Sequence, residues 1–152
     1  MSRAFVKEDD DVDALPDREV SPHPNYVTPE GLRFIDAQVG HFSHQYAEAR
    51  AAGNRGRIAN AGRDLKYWRQ RRASAQVIEA QPDRSLVHFG SVVTIERNDG
   101  SLQDWRIVGE DEADPSKGTV SYVAPLARAL MNKLVGDQID FPSFSATIRR
   151  IR

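Results

Sequence analysis

The chain has 152 residues, of which 39% are hydrophobic and 28% are charged, a size that fits one or two small domains and not a large enzyme. It contains no cysteine, which excludes disulfides and thiolate metal sites and fits a reducing, cytoplasmic setting. No run approaches the roughly 18 apolar residues of a membrane span, and the N-terminus lacks the apolar core of a signal peptide. We therefore expect a soluble protein that is not exported and does not contact a membrane.

The formal net charge of -1 conceals three regions of different charge. Residues 1–24 hold three basic and seven acidic side chains, residues 25–80 hold nine and five, and residues 81–152 hold nine and ten, so the regional charges are -4, +4 and -1. Within residues 50–72, eight side chains are basic and only Asp64 is acidic. A concentrated basic segment favours contact with phosphates or with acidic protein surfaces.

Residues 1–24 predict an acidic arm that is extended or disordered. The segment is rich in proline and poor in apolar side chains. Four acidic residues follow one another in it, Glu8, Asp9, Asp10 and Asp11. A run of this kind is usually solvated, and a partner for it is the alternative.

Residues 25–82 predict an antiparallel coiled-coil hairpin of two helices. Thr28 followed by Pro29 is a helix start signal, a capping hydroxyl before proline at the first helical position. Apolar residues then recur in the steps of three and four that form a coiled-coil seam. The first series is Leu32, Ile35, Val39, Phe42, Tyr46 and Ala49. After a turn that contains Gly53 and Gly56, the second series is Ile58, Ala61, Leu65, Trp68, Arg72 and Ala75, with Arg72 as its polar member.

Residues 83–152 predict a small α+β domain in which one helix packs on an antiparallel sheet. Alternating apolar residues indicate two strands joined by a turn at 98–100, a third strand at 118–123, and one or two closing strands within 137–152. Pro125 opens a helix that we expect to continue to Leu134 and to end near Gly136.

The basic segment of the hairpin carries the candidate binding residues. The hairpin tip would present Asn54, Arg55 and Arg57. A basic face for nucleic acid or for an acidic partner would consist of Arg50, Arg63, Lys66, Arg69 and Arg72. Such side chains displace counterions from a phosphate backbone, and the alternative is that they only keep the helices soluble. Trp68 falls in the seam, which favours a core position over base stacking.

The sequence contains no recognisable catalytic constellation. His41, His44 and Glu48 share one helical row and could hold a metal, but polar residues beside a seam are the commoner reason for such a row. Phosphate loops, nucleophile elbows and dinucleotide fingerprints do not occur. We therefore expect no enzymatic activity, no metal site and no cofactor.

Three segments resemble the Gre family of bacterial transcript cleavage and elongation factors, GreA and GreB. They are YVTPEGL at 26–32, FGSVVTIERNDGSLQDWRIVGEDEAD at 89–114 and VSYVAPLARALMNKLVGD at 120–137. The resemblance implies a coiled-coil hairpin followed by an FKBP-like C-terminal domain. It also implies that this domain docks on the rim of the RNA polymerase secondary channel while the hairpin enters the channel. There, acidic residues at the family's tip help to hold a second Mg²⁺ with which polymerase cleaves backtracked RNA.

The tip of this chain departs from the family's pattern of Gly-Asp followed by Glu-Asn. It reads Gly53, Asn54, Arg55, Gly56, Arg57. Mg²⁺ needs anionic oxygen ligands, and Asn54 offers a neutral carbonyl beside two cations that repel the metal. The nearest acids, Glu48 and Asp64, lie about one and a half to two turns from the tip, and the hairpin is roughly two to three turns per arm shorter than in cleavage-competent members. We therefore expect a Gre-like factor that binds RNA polymerase, with possible contact to nascent RNA or DNA, without stimulating cleavage.

For docking on polymerase, the resemblance implies the junction Val123, Ala124 and Pro125, together with Arg128. The family commonly has Asp-Ser-Pro or Asn-Ser-Pro at this junction, and only the proline is kept. The alternative for Pro125 is that it simply begins a helix.

Three other functions stay open at this point. They are cleavage stimulation that uses Asp64 or Glu48, regulation of a nucleoside diphosphate kinase, and RNA or DNA binding without polymerase. The sequence does not decide whether transcription rises or falls, nor the oligomeric state.

Overall fold

The computed structural model describes residues 15–152. Residues 1–14, which hold most of the predicted acidic arm, lie outside the described part of the chain. Within the described residues, one two-residue strand and two long helices are followed by six further strands, a 3₁₀ helix and one short α-helix, in agreement with the predicted α+β class. In chain order the elements are β1 Tyr26–Val27, α1 Pro29–Ala51, α2 Arg55–Ser74, β2 Gln76–Val77, β3 Val92–Arg97, β4 Leu102–Val108, a 3₁₀ helix Pro115–Lys117, β5 Thr119–Ser121, α3 Pro125–Leu130, β6 Gln138–Asp140 and β7 Ser145–Ile151.

The chain divides into two units. The hairpin unit contains residues 35–74 and, of the described arm, residues 15–22. The sheet unit contains residues 23–34 and 75–152. The first turn of α1 therefore belongs to the sheet unit and the remainder of α1 to the hairpin unit. Within residues 15–152, each helix is too short or too polar to cross a membrane.

The core of the hairpin unit follows the predicted apolar series. Burial of apolar side chains favours folding by about 25 cal/mol for each Å² removed from water. The buried members of the two series are Ile35, Ala49, Ala61, Leu65 and Trp68. Trp68 is only 7% exposed, so the core position predicted for it is confirmed.

The prediction that Arg72 belongs to the seam is wrong. Arg71 is buried, at 2% exposure, whereas Arg72 is exposed and its Nε lies 2.5 Å from Oδ1 of Asp36. An arginine at the surface keeps its hydration and gains an acidic partner there, so Asp36 favours the outward position of Arg72. Steps of three and four residues from Trp68 reach either position, and the spacing alone could not choose between them.

The sheet unit contains a five-stranded sheet in the order β5-β4-β3-β7-β6. The predicted turn at 98–100 is confirmed, because Val93 pairs with Trp105 and Ile95 with Gln103 across it. The prediction of a purely antiparallel sheet is wrong in one place, since β4 and β5 are parallel. Parallel neighbours need a crossover connection, and the loop with the 3₁₀ helix supplies it. A second parallel pair, β1 with β2, has two residues per strand, which is too short for a periodic signal.

Helix α3 is shorter than predicted, because it ends at Leu130 and not near Gly136. After it the chain pairs its backbone with Val87: the N–H of Asn132 donates to the Val87 carbonyl, and the Val87 N–H donates to the carbonyl of Lys133. Asn132 adopts a φ of 63°, which asparagine tolerates better than most residues. The helix packs into the core of the sheet unit, whose fully buried members include Val87, Val93, Ile95, Ile107, Ala127, Leu130 and Ile148.

Candidate functional site

The hairpin tip is a tight turn of three residues, 52–54, between α1 and α2. Gly53 has a φ of 64°, a conformation that favours glycine. Its N–H donates to the Arg50 carbonyl at 3.1 Å, and the N–H of Asn54 donates to the Ala49 carbonyl, also at 3.1 Å. This pair of bonds is a Schellman motif, which satisfies the last carbonyls of α1 and fixes the direction of the turn.

Asn54 is the N-cap of α2. Its side-chain Oδ1 accepts a hydrogen bond from the backbone N–H of Arg57 at 3.1 Å, and its backbone carbonyl accepts from Ile58 at 2.9 Å. Asparagine is among the preferred residues at this position, because its short side chain reaches the unpaired N–H groups of the first turn. The one side-chain oxygen at the tip is therefore committed to the helix start.

The charges next to this cap are positive. Arg55 and Arg57 lie in the first turn of α2, both exposed, and this turn contains no acidic residue. Because the N-terminus of a helix already carries a partial positive charge, two arginines there raise the local positive potential further. The tip therefore attracts anions and repels metal cations.

The two acids nearest to the tip are both engaged with basic groups. Oδ1 of Asp64 lies 3.1 Å from Nη1 of Arg18, and the Asp64 side chain is only 23% exposed. Oε1 of Glu48 lies 3.2 Å from Nε2 of His44. His41, His44 and Glu48 all are exposed on α1, and within residues 15–152 the histidines and acids form no cluster of three that could hold a metal ion.

The residues of the predicted basic face differ in their surroundings. Nζ of Lys66 lies 2.5 Å from Oδ2 of Asp17, and Arg72 pairs with Asp36, so both cations are matched by acids. The guanidinium of Arg50 lies 5.8 Å from the Tyr46 ring centroid. Arg63 is half-buried and its Nε has no hydrogen-bond partner within the described residues. Arg69 is exposed and makes no ion pair within residues 15–152.

Residues 15–18 of the arm contact the hairpin, which the sequence did not predict. The Arg18 guanidinium stacks over the ring of Tyr67 at 3.9 Å while it pairs with Asp64. Leu15 lines a cavity of about 270 Å³ together with Ile58 and Gly62. The signal in the sequence was weak, because a single Arg-Asp pair separated by 46 residues has no periodicity.

The predicted docking residues lie at the start of α3. Ala124 is the N-cap of this helix and makes no side-chain capping bond, and Pro125 occupies the first helical position. Pro125 and Arg128 are exposed, whereas Val123 and Ala124 are half-buried. The junction therefore exposes a proline ring and a guanidinium group, and its residues 123–125 carry no hydroxyl or carboxylate.

The start of α1 is organised by a glutamate that sequence reasoning missed. The hydroxyl of Thr28 caps the helix, as predicted, by accepting from the Gly31 N–H at 2.9 Å. The Glu112 carboxylate accepts from the Thr28 N–H at 2.9 Å, from the Thr28 hydroxyl, and from the Gly109 N–H at 3.3 Å. A Cβ on Gly31 would lie 2.0 Å from Oε2 of Glu112, so glycine is required for this approach.

Glu30 completes the acidic start of α1. Its carboxylate lies 3.2 Å from Nη2 of Arg106. Hydrogen bonding from its own backbone N–H, followed by the bond from Arg106, holds the pKa of Glu30 below its ordinary value of 4.5 despite partial desolvation. The first turn of α1 is therefore stabilised by two carboxylates.

The chain is similar in sequence to transcription elongation factors. Residues 81–150 match the family model described as transcription elongation factor, GreA/GreB, C-term. GreB of Haemophilus ducreyi is 30% identical over 135 residues, which cover 76% of this chain and 83% of that protein. GreA of Chloroflexus aggregans is 32% identical over 139 residues, which cover 76% and 87%.

A solved structure, the prokaryotic transcription elongation factor GreA/GreB from Nitrosomonas europaea, aligns with a TM-score of 0.43 and 17% identity over 83% of this chain and 97% of that chain. The assignment depends on the sequence relatives and not on this likeness. Because GreB of H. ducreyi reaches 30% identity with more than two thirds of its length covered, the chain belongs to the GreA/GreB family of transcription elongation factors.

Proposed function

We propose that this protein binds bacterial RNA polymerase at its secondary channel and regulates elongation by occupying the channel, without stimulating transcript cleavage. Its membership in the Gre family supports the polymerase as partner. The proposed lack of cleavage stimulation rests on the chemistry of the hairpin tip. That tip has two arginines and one amide whose oxygen is already used as a helix cap.

A tip of this kind is a poor ligand for a second Mg²⁺. A hard divalent cation is bound by carboxylate oxygens, and at a separation of 4 Å two unit charges in partly solvated surroundings interact by about 4 kcal/mol. The arginines make this interaction repulsive. Recruiting Asp64 or Glu48 instead would require breaking their pairs with Arg18 and His44.

The same charges suit a different contact. Phosphate oxygens of RNA or of a nucleotide, and carboxylates of polymerase, accept charge-assisted hydrogen bonds from guanidinium groups. Bound in this way, the tip obstructs or steers the polymerase and contributes no catalytic group. The protein acts as an accessory factor and not as an enzyme, and it needs no cofactor of its own.

Docking would use the exposed side chains at the start of α3. Pro125 and Arg128 project from the sheet unit, which is the part of the chain that the family model matches. Replacing Arg128 with alanine should weaken polymerase binding, while Lys117→Ala, an exposed cation elsewhere in the same unit, serves as the matched control. Equal effects of the two substitutions would argue against docking through α3.

The deciding experiment measures polymerase binding and transcript cleavage side by side. We expect the protein to be retained by core polymerase at low salt, and RNA in stalled complexes to keep its length when Mg²⁺ is present. The variant Asn54→Asp/Arg57→Glu should gain cleavage, because it restores two carboxylates. It should also fold, since aspartate is a preferred helix cap and a glutamate in the first turn interacts favourably with the helix dipole.

Two outcomes would overturn the proposal. No retention on polymerase at low salt would remove the partner and leave kinase regulation or free nucleic-acid binding. Mg²⁺-dependent shortening of RNA by the unmodified protein, abolished by Asp64→Ala or Glu48→Ala, would instead establish cleavage stimulation with an acid from one of the two helices.

A further inference from the structure

A groove lies on the hairpin where Tyr46 of α1 faces α2. Two adjacent cavities form it, of about 270 Å³ and about 500 Å³, and both are lined by Tyr46, Gly62 and Lys66. Leu65, which is buried, adds an apolar wall to the larger cavity. A Cβ on Gly62 would lie 3.3 Å from Cε2 of Tyr46, so the glycine keeps space open beside the tyrosine ring.

The described part of the arm lies against the smaller cavity. Leu15 and Asp17 both line this cavity, and Oδ2 of Asp17 pairs with Nζ of Lys66 at 2.5 Å. The next residue, Arg18, leaves the groove, because its guanidinium stacks over Tyr67, which lines neither cavity, at 3.9 Å. The chain itself therefore places an apolar side chain, followed two residues later by a carboxylate, against this groove.

The larger cavity has the same chemistry, but none of residues 15–22 of the arm lines it. Apart from Leu65 and the three shared residues, its lining consists of Arg69, Gln70 and Ala73. Arg69 lies three residues after Lys66 on the same side of α2, is exposed and makes no ion pair within residues 15–152. The larger cavity thus combines an apolar wall with a cation to which no carboxylate of the described chain is bound.

We infer that the larger cavity binds an extended segment of a partner protein in which an apolar side chain is followed two residues later by a carboxylate. The apolar side chain packs against Leu65 and Tyr46, and its removal from water supplies affinity. The carboxylate pairs with Arg69, as that of Asp17 pairs with Lys66, and this ion pair fixes the direction of the segment. A polypeptide fits better than a nucleic acid, because an aliphatic wall gains nothing from a phosphate backbone. The contact does not depend on the proposed function.

A peptide titration followed by NMR tests the site in the full chain. The probe is Gly-Leu-Pro-Asp-Gly with blocked ends, which repeats the order of residues 15–17 and contains no arginine. An excess of this peptide should shift the amide resonances of Arg69, Gln70 and Ala73, which line the larger cavity alone, more than those of Ile58 and Ala59, which line the smaller one alone. Absent shifts, or larger shifts at the smaller cavity, where the peptide would only replace the arm, would overturn the inference.

Matched substitutions in the protein and in the peptide identify the ion pair. Arg69→Gln should weaken peptide binding roughly two- to five-fold, as expected for an exposed ion pair. Arg84→Gln, which removes the same charge from an exposed loop position of the sheet unit, is the control and should leave binding unchanged. A peptide with Asn in place of Asp should lose the same factor against the unmodified protein and nothing further against Arg69→Gln. Equal effects of the two protein variants, or equal binding of the two peptides, would overturn the inference.

The same spectra distinguish other occupants of the larger cavity. Shifts at Arg69, Gln70 and Ala73 on concentrating the protein alone would show that a second copy fills it, and would overturn the inference. Shifts caused there by a short single-stranded RNA, with none from the peptide, would overturn it as well. These measurements contain no polymerase, so a protein that binds the peptide but is not retained on polymerase would refute the proposed function alone. Retention on polymerase without peptide binding would refute this inference alone.

Discussion

The two helices of the hairpin begin in opposite electrostatic settings. Helix α1 starts with a threonine cap, Glu30 in its first turn and the Glu112 carboxylate on the N–H and hydroxyl of that threonine. Helix α2 starts with a neutral asparagine cap and two arginines. Because a helix N-terminus favours negative charge by about 0.3 to 1 kcal/mol per group, α1 gains stability where α2 loses it. The proposed binding role of these arginines would offset this cost, and the following substitutions test the contrast between the two helix starts.

The largest effect should come from Gly109→Ala, next to the start of α1. A Cβ at this position would lie 2.3 Å from the backbone carbonyl oxygen of Tyr26, which cannot rotate away as a side chain could. We expect the free energy of unfolding to fall by about 2 to 3 kcal/mol, as for overpacked positions, measured by denaturant titration.

Gly40→Ala is the matched control for this substitution. Gly40 lies within α1 with no atom near its added Cβ, and alanine has the higher helix propensity. This variant should be more stable by up to about 1 kcal/mol. If Gly109→Ala proved as harmless as Gly40→Ala, the close approach at the start of α1 would not be required for folding.

Glu112→Gln should have the next largest effect. The substitution keeps the size of the side chain but weakens the bonds that the Thr28 N–H, the Thr28 hydroxyl and the Gly109 N–H donate to the carboxylate. Hydrogen bonds to charged groups contribute roughly 1.5 to 3 kcal/mol, so we expect a loss of about 1 to 2 kcal/mol. Glu79→Gln at an exposed position should change thermal stability very little, and an equal loss in both variants would contradict the special position of Glu112.

Arg57→Glu should change stability in the opposite direction. A carboxylate in the first turn of α2 interacts favourably with the helix dipole, whereas the guanidinium of Arg57 does not. We expect the hairpin to gain about 0.5 to 1 kcal/mol and to lose affinity for RNA. Arg69→Glu, which lies far from the first turn, should give no such gain. A destabilised Arg57→Glu protein would show that the arginine is structural.

The sequence predicted the regular elements well and the contacts between distant segments poorly. The capping signal at Thr28 follows from neighbouring residue types and is confirmed. The apolar spacing correctly placed Ile35, Ala49, Ala61, Leu65 and Trp68 in the core, but not Arg72. The position of Glu112 depends on a contact across 84 residues, and no local pattern distinguishes it from the acids beside it. Parallel pairing of β4 and β5 likewise depends on the route of the connecting chain.

The candidate site likewise combines a feature that the sequence predicted with contacts that only the structure showed. The sequence alone showed that residues 49–63 contain no acidic side chain, because this depends only on which residues are present. The commitment of the Asn54 oxygen to the Arg57 N–H, and of Asp64 to Arg18, required the structure. Both findings strengthen the case against a metal at the tip, because they remove oxygen atoms that composition alone leaves available.

The smallest predicted effect is on the pH dependence of the free energy of unfolding, to which Glu30 at the start of α1 contributes. Since the pKa of Glu30 is lower in the folded protein than its ordinary value of 4.5, folding favours the ionised form. The stabilisation is complete above about pH 4.5 and is lost as the pH falls through the folded pKa. Glu30 is exposed, so Glu30→Gln should cost only a few tenths of a kcal/mol at pH 7.

Unfolding measured on both proteins between pH 7 and pH 3 should show the two stability curves converging as the carboxylate is protonated. An equal convergence of the curves for Asp140→Asn, which removes an exposed acid on β6, would show a general charge effect and not one specific to the start of α1. A gap for Glu30→Gln that stayed constant to pH 3 would mean that the side chain acts through its shape and not its charge. The electrostatic contrast between the two helix starts would then depend on Glu112 and the arginines alone.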